Sequence, residues 1–368
     1  MPRGRGGIAL GVMTDLVPRD LLLPAVPPEE QPFVASPVRP GGFCNPWGVR
    51  VDKRPADLLR WQLAANPFRA ARRRAPRLPR VADPQACWRD LPEGARVQWL
   101  GHASLLVELD GVVVLIDPLF GRAAVQARAV PAPLTVAELP RIDAVLLTHG
   151  HYDHLDAPSL RALVGRFGPT LPFVVPLGQR ANLPAACTTV VELSWWQEVR
   201  VRGLRLCLVP AQHWHRRGAF DLDRALWGGF VLAGRHSLYH AGDTGFFGGF
   251  RTIGRVFPDL DVAVLPLGAY EPRWFMADQH MGPEASVAAL QALGARRLLG
   301  MHWGTFDLTD EPLDYGAFEL LPAAVEAAGL PGSAFHVLAH GGAMSFGATE
   351  RVLGAAGAPG LGREDDTR

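Results

Sequence analysis

Thr148-His149-Gly150-His151-Tyr152-Asp153-His154 is the stretch that decides the fold of this chain, and it directly follows the apolar run at 144–147. Three histidines and an aspartate crowd together where a buried strand gives way to a loop, so their side chains can converge on one point. Imidazole suits zinc and iron, and a carboxylate among histidines is the mixture that hydrolytic metal sites use. The alternative is a polar loop with chance histidines, which explains such close spacing poorly. The stretch therefore predicts a metal site.

Composition and charge narrow the class of protein around this site. The length of 368 residues fits one large domain or two fused half-domains, and 48% hydrophobic residues suffice for a sizeable core. Lys+Arg 37 against Asp+Glu 36 leaves a net charge of +1, so no global field favours nucleic acid, and none is expected as a partner. Cys44, Cys87, Cys187 and Cys207 form no CxxC pair, which indicates reduced thiols in a cytoplasmic protein.

Membrane contact is expected to be peripheral, at the inner face of the membrane. The apolar run that ends at Asp15 is too short for a signal peptide, and no apolar run approaches the length of a bilayer span. The basic run RAARRRAPRLPR at 69–80 has two interpretations. It is either a solvated linker or a patch facing anionic lipid headgroups, where each Lys or Arg contributes about 1 kcal/mol.

The chain divides into four predicted segments. Residues 1–42 are rich in Pro, Gly and Arg, which predicts poor order. Residues 43–95 contain the aromatic stretch FCNPW and a short amphipathic helix beginning near Leu58, so they are predicted to form an N-terminal arm packed on the core. Residues 96–346 are assigned to one domain that carries the metal loop, and residues 347–368 to a disordered C-terminal tail.

Strand and helix patterns alternate through the predicted domain. Short β-rich runs occupy 97–100, 104–109 and 112–116, and Asp110-Gly111 gives a hairpin signal between the last two. Further strands are predicted at 171–175, 190–193, 204–209, 226–232, 237–240, 261–265 and 297–301, with helices at 157–167, 283–293 and 320–328. This order fits a layered α/β sandwich. It does not fit a Rossmann domain, because no Gly-x-Gly-x-x-Gly opens a helix after the first strand.

More ligand candidates follow the ends of these strands. His213, Asp243 and His302 each come directly after or close behind a predicted strand, as the metal loop does. Singly each is weak evidence, but together they share the edge at which active sites of layered α/β folds collect. Asp117-Pro118 also ends a strand. Its carboxylate either orients a ligand histidine or starts an ordinary turn.

These motifs resemble the metallo-β-lactamase superfamily, and within it the N-acylphosphatidylethanolamine-hydrolysing phospholipase D family. The metal loop alone identifies only the superfamily, whereas GAYEPRWFM together with HWGTF is much more specific. The stretches that carry the resemblance are FCNPW at 43–47, WLGHA at 99–103, THGHYDHLD at 148–156, QHW at 212–214, AGDTG at 241–245, GAYEPRWFM at 268–276, Gln279-His280, and HWGTF at 302–306.

The resemblance implies an αββα sandwich with two zinc ions at its edge, iron being the alternative metal. One ion is expected to be held by His149, His151 and His213, and the other by Asp153, His154 and His302, with Asp243 bridging them. It further implies a phosphodiesterase that activates water between the ions and releases N-acylethanolamine and phosphatidic acid from a phospholipid. Asp153, Asp243 and His280 are the expected catalytic residues.

Several neighbouring residues receive expected roles from the same resemblance. His280 is expected beside the substrate, to bind the phosphoryl group or protonate the leaving oxygen, and Gln279 and Tyr152 are expected to contact the substrate. His102 and His340 either support the site or are hydrogen-bonded core histidines. A homodimer is among the expected assemblies.

One loop departs from the family pattern. After the Asp-Pro turn the family continues with a longer, more basic loop, whereas this chain has GRAAVQARAVP at 121–131. Since such loops border the substrate cleft, a soluble metallohydrolase of lactones or small phosphodiesters is the alternative function. A non-catalytic scaffold is disfavoured because every expected ligand position is filled.

Overall fold

Two eight-stranded sheets dominate the computed structural model, which describes residues 14–51 and 53–357. The strands in chain order are β1 Asp15–Asp20, β2 Val38–Arg39, β3 Gly42–Phe43, β4 Ala95–Trp99, β5 Leu105–Leu109, β6 Val112–Ile116, β7 Ala144–Leu146, β8 Phe173–Pro176, β9 Val190–Leu193, β10 Gln197–Val201, β11 Leu204–Val209, β12 Gly229–Ala233, β13 Ser237–His240, β14 Val262–Pro266, β15 Arg297–Met301, β16 Phe335–His336, β17 Leu338–Phe346 and β18 Glu350–Ala355. The α-helices are α1 Gln31–Val34, α2 Pro55–Leu63, α3 Pro84–Arg89, α4 Ala157–Phe167, α5 Gly249–Val256, α6 Arg273–Met276, α7 Pro283–Leu293 and α8 Leu321–Ala327.

The sheets stack face to face with helices on their outer sides, as the predicted αββα sandwich requires. One sheet has the order β1-β10-β11-β12-β13-β14-β15-β16 and the other β18-β17-β4-β5-β6-β7-β8-β9. Strand β6 shows how the layers form: Val114 and Ile116 enter the core between the sheets, while Val113 and Leu115 pack in the cluster that includes α4. Both faces of such a strand are buried, which explains its uninterrupted apolar sequence.

The strand directions bring the candidate ligands to one edge. Strands β6 to β9 run parallel, as do β13 to β16, so the loops after them emerge on the same side of each sheet. The metal loop connects β7 to α4, whose first turn is capped by Asp156 accepting from the Ser159 backbone N–H. The loop is thus fixed at both ends by regular structure.

The described parts of the two terminal segments, 1–42 and 347–368, contain regular structure although their composition predicts poor order. Within the first, β1 pairs antiparallel with β10, and Glu30 pairs with Arg255. Within the second, β18 pairs antiparallel with β17. Backbone hydrogen bonding at sheet edges stabilises such strands without an apolar repeat, so composition alone missed them. Residues 1–13 and 358–368 lie outside the described residues, and the domain boundaries stay predictions.

The basic run at 69–80 matches neither of its two interpretations fully. Arg72 pairs with Asp307, Arg74 and Arg77 with Asp314, and Arg77 also with Glu319. These three arginines therefore attach the arm to the domain and are not free for lipid headgroups. No helix within 14–51 and 53–357 is long and apolar enough to cross a bilayer.

Candidate metal centre

Three imidazoles and one carboxylate form the first donor group at this edge. One ligand atom each of His149, His151, His213 and Asp243 lies within 4.8 Å of the others. His151 Nδ1 lies 3.0 Å from His149 Nε2 and 3.1 Å from His213 Nε2. The group contains the three histidines predicted to share one metal.

The second donor group contains the other predicted ligands. Asp153, His154 and His302 meet within the same 4.8 Å limit, and His102 joins them. Asp243 reaches this group too, because its Oδ2 lies 3.2 Å from His154 Nε2 and its Oδ1 3.1 Å from His302 Nε2. Its carboxylate therefore touches donors of both groups, the location that a bridging ligand needs.

The unpaired polar atoms at the site fit a bound cation. His154 Nε2, His302 Nε2 and Asp243 Oδ1 are buried without a hydrogen-bond partner among the described residues. A buried polar atom without a partner costs about 1–3 kcal/mol, so several in one place require a ligand. Imidazole nitrogen and carboxylate oxygen are donors for zinc and for iron. The residues present therefore fit the metal centre that the sequence predicts.

Burial and nearby charge shift the protonation of these groups in opposite directions. Burial lowers the pKa of His151 to about 4, so its imidazole is neutral near pH 7, as a metal ligand must be. At His154 burial also disfavours the charged form, but the carboxylates of Asp243, Asp153 and Asp117 outweigh it and raise the pKa well above its usual value. Negative charge therefore exceeds positive charge at this point, which a bound cation balances.

Three of the predicted metal ligands, His154, His213 and Asp153, form hydrogen bonds with residues that are not themselves predicted ligands. Asp117 Oδ2 accepts from His154 Nδ1 at 2.7 Å. Of its two predicted roles, orienting a ligand histidine or starting a turn, this contact supports the first. The carbonyl of Gln279 lies 3.2 Å from His213 Nδ1, and His102 Nε2 lies 2.9 Å from Asp153 Oδ2. Such partners fix the imidazole tautomer and the ring orientation.

The residues expected to contact substrate differ in their position and burial. His280 lies at the centre, with its Nδ1 3.8 Å from Asp243 Oδ2 and without a hydrogen-bond partner among the described residues. Tyr152 is 47% exposed, and its hydroxyl donates to the Arg217 carbonyl at 3.0 Å. Gln279 has a buried side chain that donates to Met276 Sδ, and its backbone carbonyl faces His213, so its contact with substrate stays a prediction. His340 bonds Thr305 and Pro79, as a core histidine does.

Other supporting residues escaped the sequence analysis. Arg217 Nη1 donates to the carbonyls of Gly150 and Leu155 at 2.6 and 3.1 Å, so it holds the metal loop. A Cβ at Gly150 would lie 2.4 Å from His215 Cε1, which explains the glycine. His240 Nε2 donates to the Ala103 carbonyl at 3.0 Å while its Nδ1 accepts from Gly242 N–H. No local pattern marks these residues, since each acts through a contact distant in sequence.

The chain is similar in sequence to a known protein family and to several known proteins. Residues 113–303 match the family model of the beta-lactamase superfamily domain. An uncharacterized protein of Mycobacterium tuberculosis is 36% identical over 302 residues, which cover 78% of this chain and 79% of that protein. The N-acyl-phosphatidylethanolamine-hydrolyzing phospholipase D 1 of Caenorhabditis elegans is 35% identical over 233 residues, which cover 58% of this chain and 65% of that protein.

A solved structure supports the same fold. Igni18, a metallo hydrolase from Ignicoccus hospitalis, superposes with a TM-score of 0.54 at 23% identity, covering 69% of this chain and 99% of that chain. At this identity the likeness concerns the architecture. The predicted metallo-β-lactamase sandwich is confirmed.

Proposed function

Because the chain belongs to the beta-lactamase superfamily, we propose that it is a metal-dependent phosphodiesterase acting on N-acylphosphatidylethanolamine-like phospholipids. The products are N-acylethanolamine and phosphatidic acid. The observation that carries the proposal is the Asp243 carboxylate, which contacts donors of two adjacent groups as a two-metal hydrolytic site requires. Similarity to the Caenorhabditis elegans phospholipase supports the choice of substrate.

Two zinc ions are the proposed cofactors, and iron is the alternative because the same donors serve both metals. His149, His151 and His213 would hold one ion, and Asp153, His154 and His302 would hold the other, with Asp243 shared. Metal ions held there lower the pKa of water and neutralise charge on a phosphodiester oxygen.

Other roles in the proposed hydrolysis belong to side chains of this protein. Hydrolysis joins a water oxygen to phosphorus, breaks the bond from phosphorus to the N-acylethanolamine oxygen, and returns a proton to that oxygen. Asp153, oriented by His102, is placed to align the water. His280 is placed to bind a phosphoryl oxygen or to supply the proton, because its buried Nδ1 lacks a partner among the described residues. Tyr152, which is 47% exposed in the metal loop, is the proposed contact for the rest of the substrate.

Peripheral contact with a membrane is part of the proposal, and helix α2 supports it. None of its residues is buried, and Leu59 and Leu63 are 55% and 78% exposed. Trp274 on neighbouring α6 is 44% exposed, and Arg69 and Arg73 stand exposed beyond the helix. Apolar side chains beside basic ones suit the interface of an anionic bilayer.

The double variant Leu59→Ser/Leu63→Ser is expected to bind vesicles at least about tenfold more weakly, because burying one leucine contributes about 1.5–3 kcal/mol. Cosedimentation with vesicles of phosphatidylethanolamine and phosphatidylglycerol measures the change. Leu22→Ser, at a leucine 99% exposed in the segment after β1, is the matched control. Equal binding by the double variant and the wild type would show that α2 does not enter the bilayer.

A soluble metallohydrolase of lactones or small phosphodiesters is the second candidate. The observation that favours it is Arg128 in the shortened loop, whose guanidinium donates to the carbonyls of Val130, Leu119 and Leu100. This arginine is occupied by backbone, so it adds no free cation for a lipid phosphate.

Side-by-side turnover separates the two candidates. Metal-loaded protein is assayed on vesicle-borne N-acylphosphatidylethanolamine, on bis(p-nitrophenyl) phosphate and on a water-soluble lactone. We expect kcat/KM for the lipid to exceed the lactone value by at least about a hundredfold, since the phosphodiester alone presents charge to both donor groups. A lactone turned over faster than the lipid would reject the phospholipase and favour the second candidate.

A further inference from the structure

The segment 268–280, which we call the His280 segment, packs against the N-terminal arm. Its residues Ala269, Phe275 and Met276 form a small buried apolar cluster separate from the main core. Trp61 of the arm is the partly buried residue packed against that cluster. The packing of the segment that carries His280 therefore depends on residues more than 200 positions away in sequence.

Helix α2 of the arm, together with Lys53 just before it, contacts α6 of the His280 segment through aromatic and cationic interactions. The rings of Trp61 and Phe275 lie 5.0 Å apart between centroids. The Arg60 guanidinium lies 4.2 Å from the centre of the Trp274 ring, and Lys53 Nζ lies 4.7 Å from that of Phe275. Contacts of this kind contribute about 0.5–1.5 kcal/mol each beyond the apolar area they bury, so together they fix the helix.

Arg72 makes a second connection, through the loop at 307–311. Its Nη1 donates to the carbonyls of Thr309 and Glu311 at 2.9 and 3.0 Å, and its Nη2 pairs with Asp307. Asn66 Nδ2 donates to the Asp310 carbonyl at 3.0 Å. The planar fork of arginine matches several acceptors at once, which lysine does not.

The Glu311 carboxylate carries this connection into the His280 segment. Its Oε1 accepts from the backbone N–H of Ala269 at 2.7 Å and of Tyr270 at 3.2 Å, and its Oε2 from that of Glu271 at 3.2 Å. Ala269 has φ 63°, a conformation that side-chain-bearing residues adopt rarely. Three N–H donors on one carboxylate offset the cost of that conformation, because hydrogen bonds to a charged acceptor are strong.

The segment then ends inside the candidate metal centre. The backbone N–H groups of Gln279 and His280 both donate to the Met276 carbonyl at 2.9 Å, so these two residues follow α6 rigidly. Gln279 offers its carbonyl to His213, and His280 places its imidazole beside Asp243. A shift of α6 would therefore move both.

We propose that the N-terminal arm positions an active-site residue. Trp61 and Arg72 are positioning residues that fix the His280 segment, and with it His280. The catalytic consequence, a lowered kcat, rests on the proposed function. The structural coupling between arm and segment does not.

Hydrogen–deuterium exchange tests the coupling in the full chain. We expect Arg72→Met and Trp61→Ala to raise exchange of peptides within 268–281 at least about tenfold, as loss of local stability does. Peptides across β6 and β7 should exchange as in the wild type. Arg89→Met is the matched control, because Arg89 is an exposed arginine of the same arm that pairs with its sequence neighbour Asp90. If Arg72→Met fails to fold, Arg72→Lys is measured in its place.

Metal content and steady-state kinetics distinguish loss of positioning from loss of the metal site. With zinc in excess, metal content should match the wild type in both variants, while kcat on a phosphodiester falls at least about fivefold with KM little changed, because an interaction with the reacting group is lost. Faster exchange confined to the arm at 53–77, with 268–281 unaltered, would overturn the proposal. A wild type that turns over no phosphodiester would remove the proposed function and leave the exchange result standing.

Discussion

Replacing Asp243 with asparagine is expected to reduce metal content from about two ions per chain to about one or fewer, and turnover by more than about a hundredfold. The carboxylate contacts His154 and His302 of one donor group and lies 3.7 Å from His149 of the other. The asparagine amide carries no negative charge, and its NH2 replaces one acceptor oxygen by a donor. One of the two metal-donor groups therefore loses the carboxylate oxygen that Asp243 supplies. Elemental analysis and an assay on phosphodiester substrate measure the two effects.

The control for this variant is Asp261→Asn. Asp261 also pairs with basic residues, Arg296 and His236, but it precedes β14 and therefore lies at the opposite edge of the sheet. We expect it to retain the metal content and turnover of the wild type. Full activity of Asp243→Asn would remove the bridging role, while equal losses in both variants would attribute the effect to the fold.

The Asp117→Asn variant is expected to bind metal about 10–100-fold more weakly, the usual effect of losing a residue that orients a ligand. Asp117 is fully buried and accepts from the backbone N–H and the hydroxyl of Thr148 as well as from His154 Nδ1. An amide has one acceptor fewer, so one donor is left unpaired at a cost of about 1–3 kcal/mol in the free energy of unfolding. Competition with a fluorescent chelator measures the affinity, and urea denaturation measures the stability.

Asp143→Asn separates orientation from simple stabilisation. Asp143 Oδ2 accepts from the backbone N–H of Val113 at 2.9 Å, a contact similar to that of Asp117 but at the other end of β7. We expect this variant to lose some stability while its metal affinity stays at the wild-type value. Unchanged affinity in Asp117→Asn would show that His154 needs no partner behind it.

Several strands were predictable because their sequences are short, mainly apolar runs. The predicted strands at 112–116, 190–193, 204–209, 237–240 and 297–301 agree with the structure, as do the helices at 157–167 and 283–293. Strand β10 was missed because Gln197–Val201 mixes charged and apolar residues, and β17 because Gly341 and Gly342 interrupt it. In both cases pairing with neighbouring strands, and not local preference, decides the conformation.

The candidate centre was predictable where side chains supply the donors. A dense histidine loop and polar residues at strand ends led to seven positions, and the structure brings all of them together. Contacts through the backbone were not predictable in this way, since the carbonyl that Gln279 offers to His213 depends on α6 and not on the residue type. The link from Arg72 through Glu311 to the His280 segment joins three parts of the chain, so only the folded structure reveals it.

Anomalous X-ray diffraction from crystals of the zinc-loaded protein tests the central claim most directly. We predict two peaks at the zinc edge, one among the nitrogen atoms of His149, His151 and His213 and one among the donors of Asp153, His154 and His302, with the Asp243 carboxylate in contact with both. A single peak, or zinc bound away from these side chains, would contradict the account.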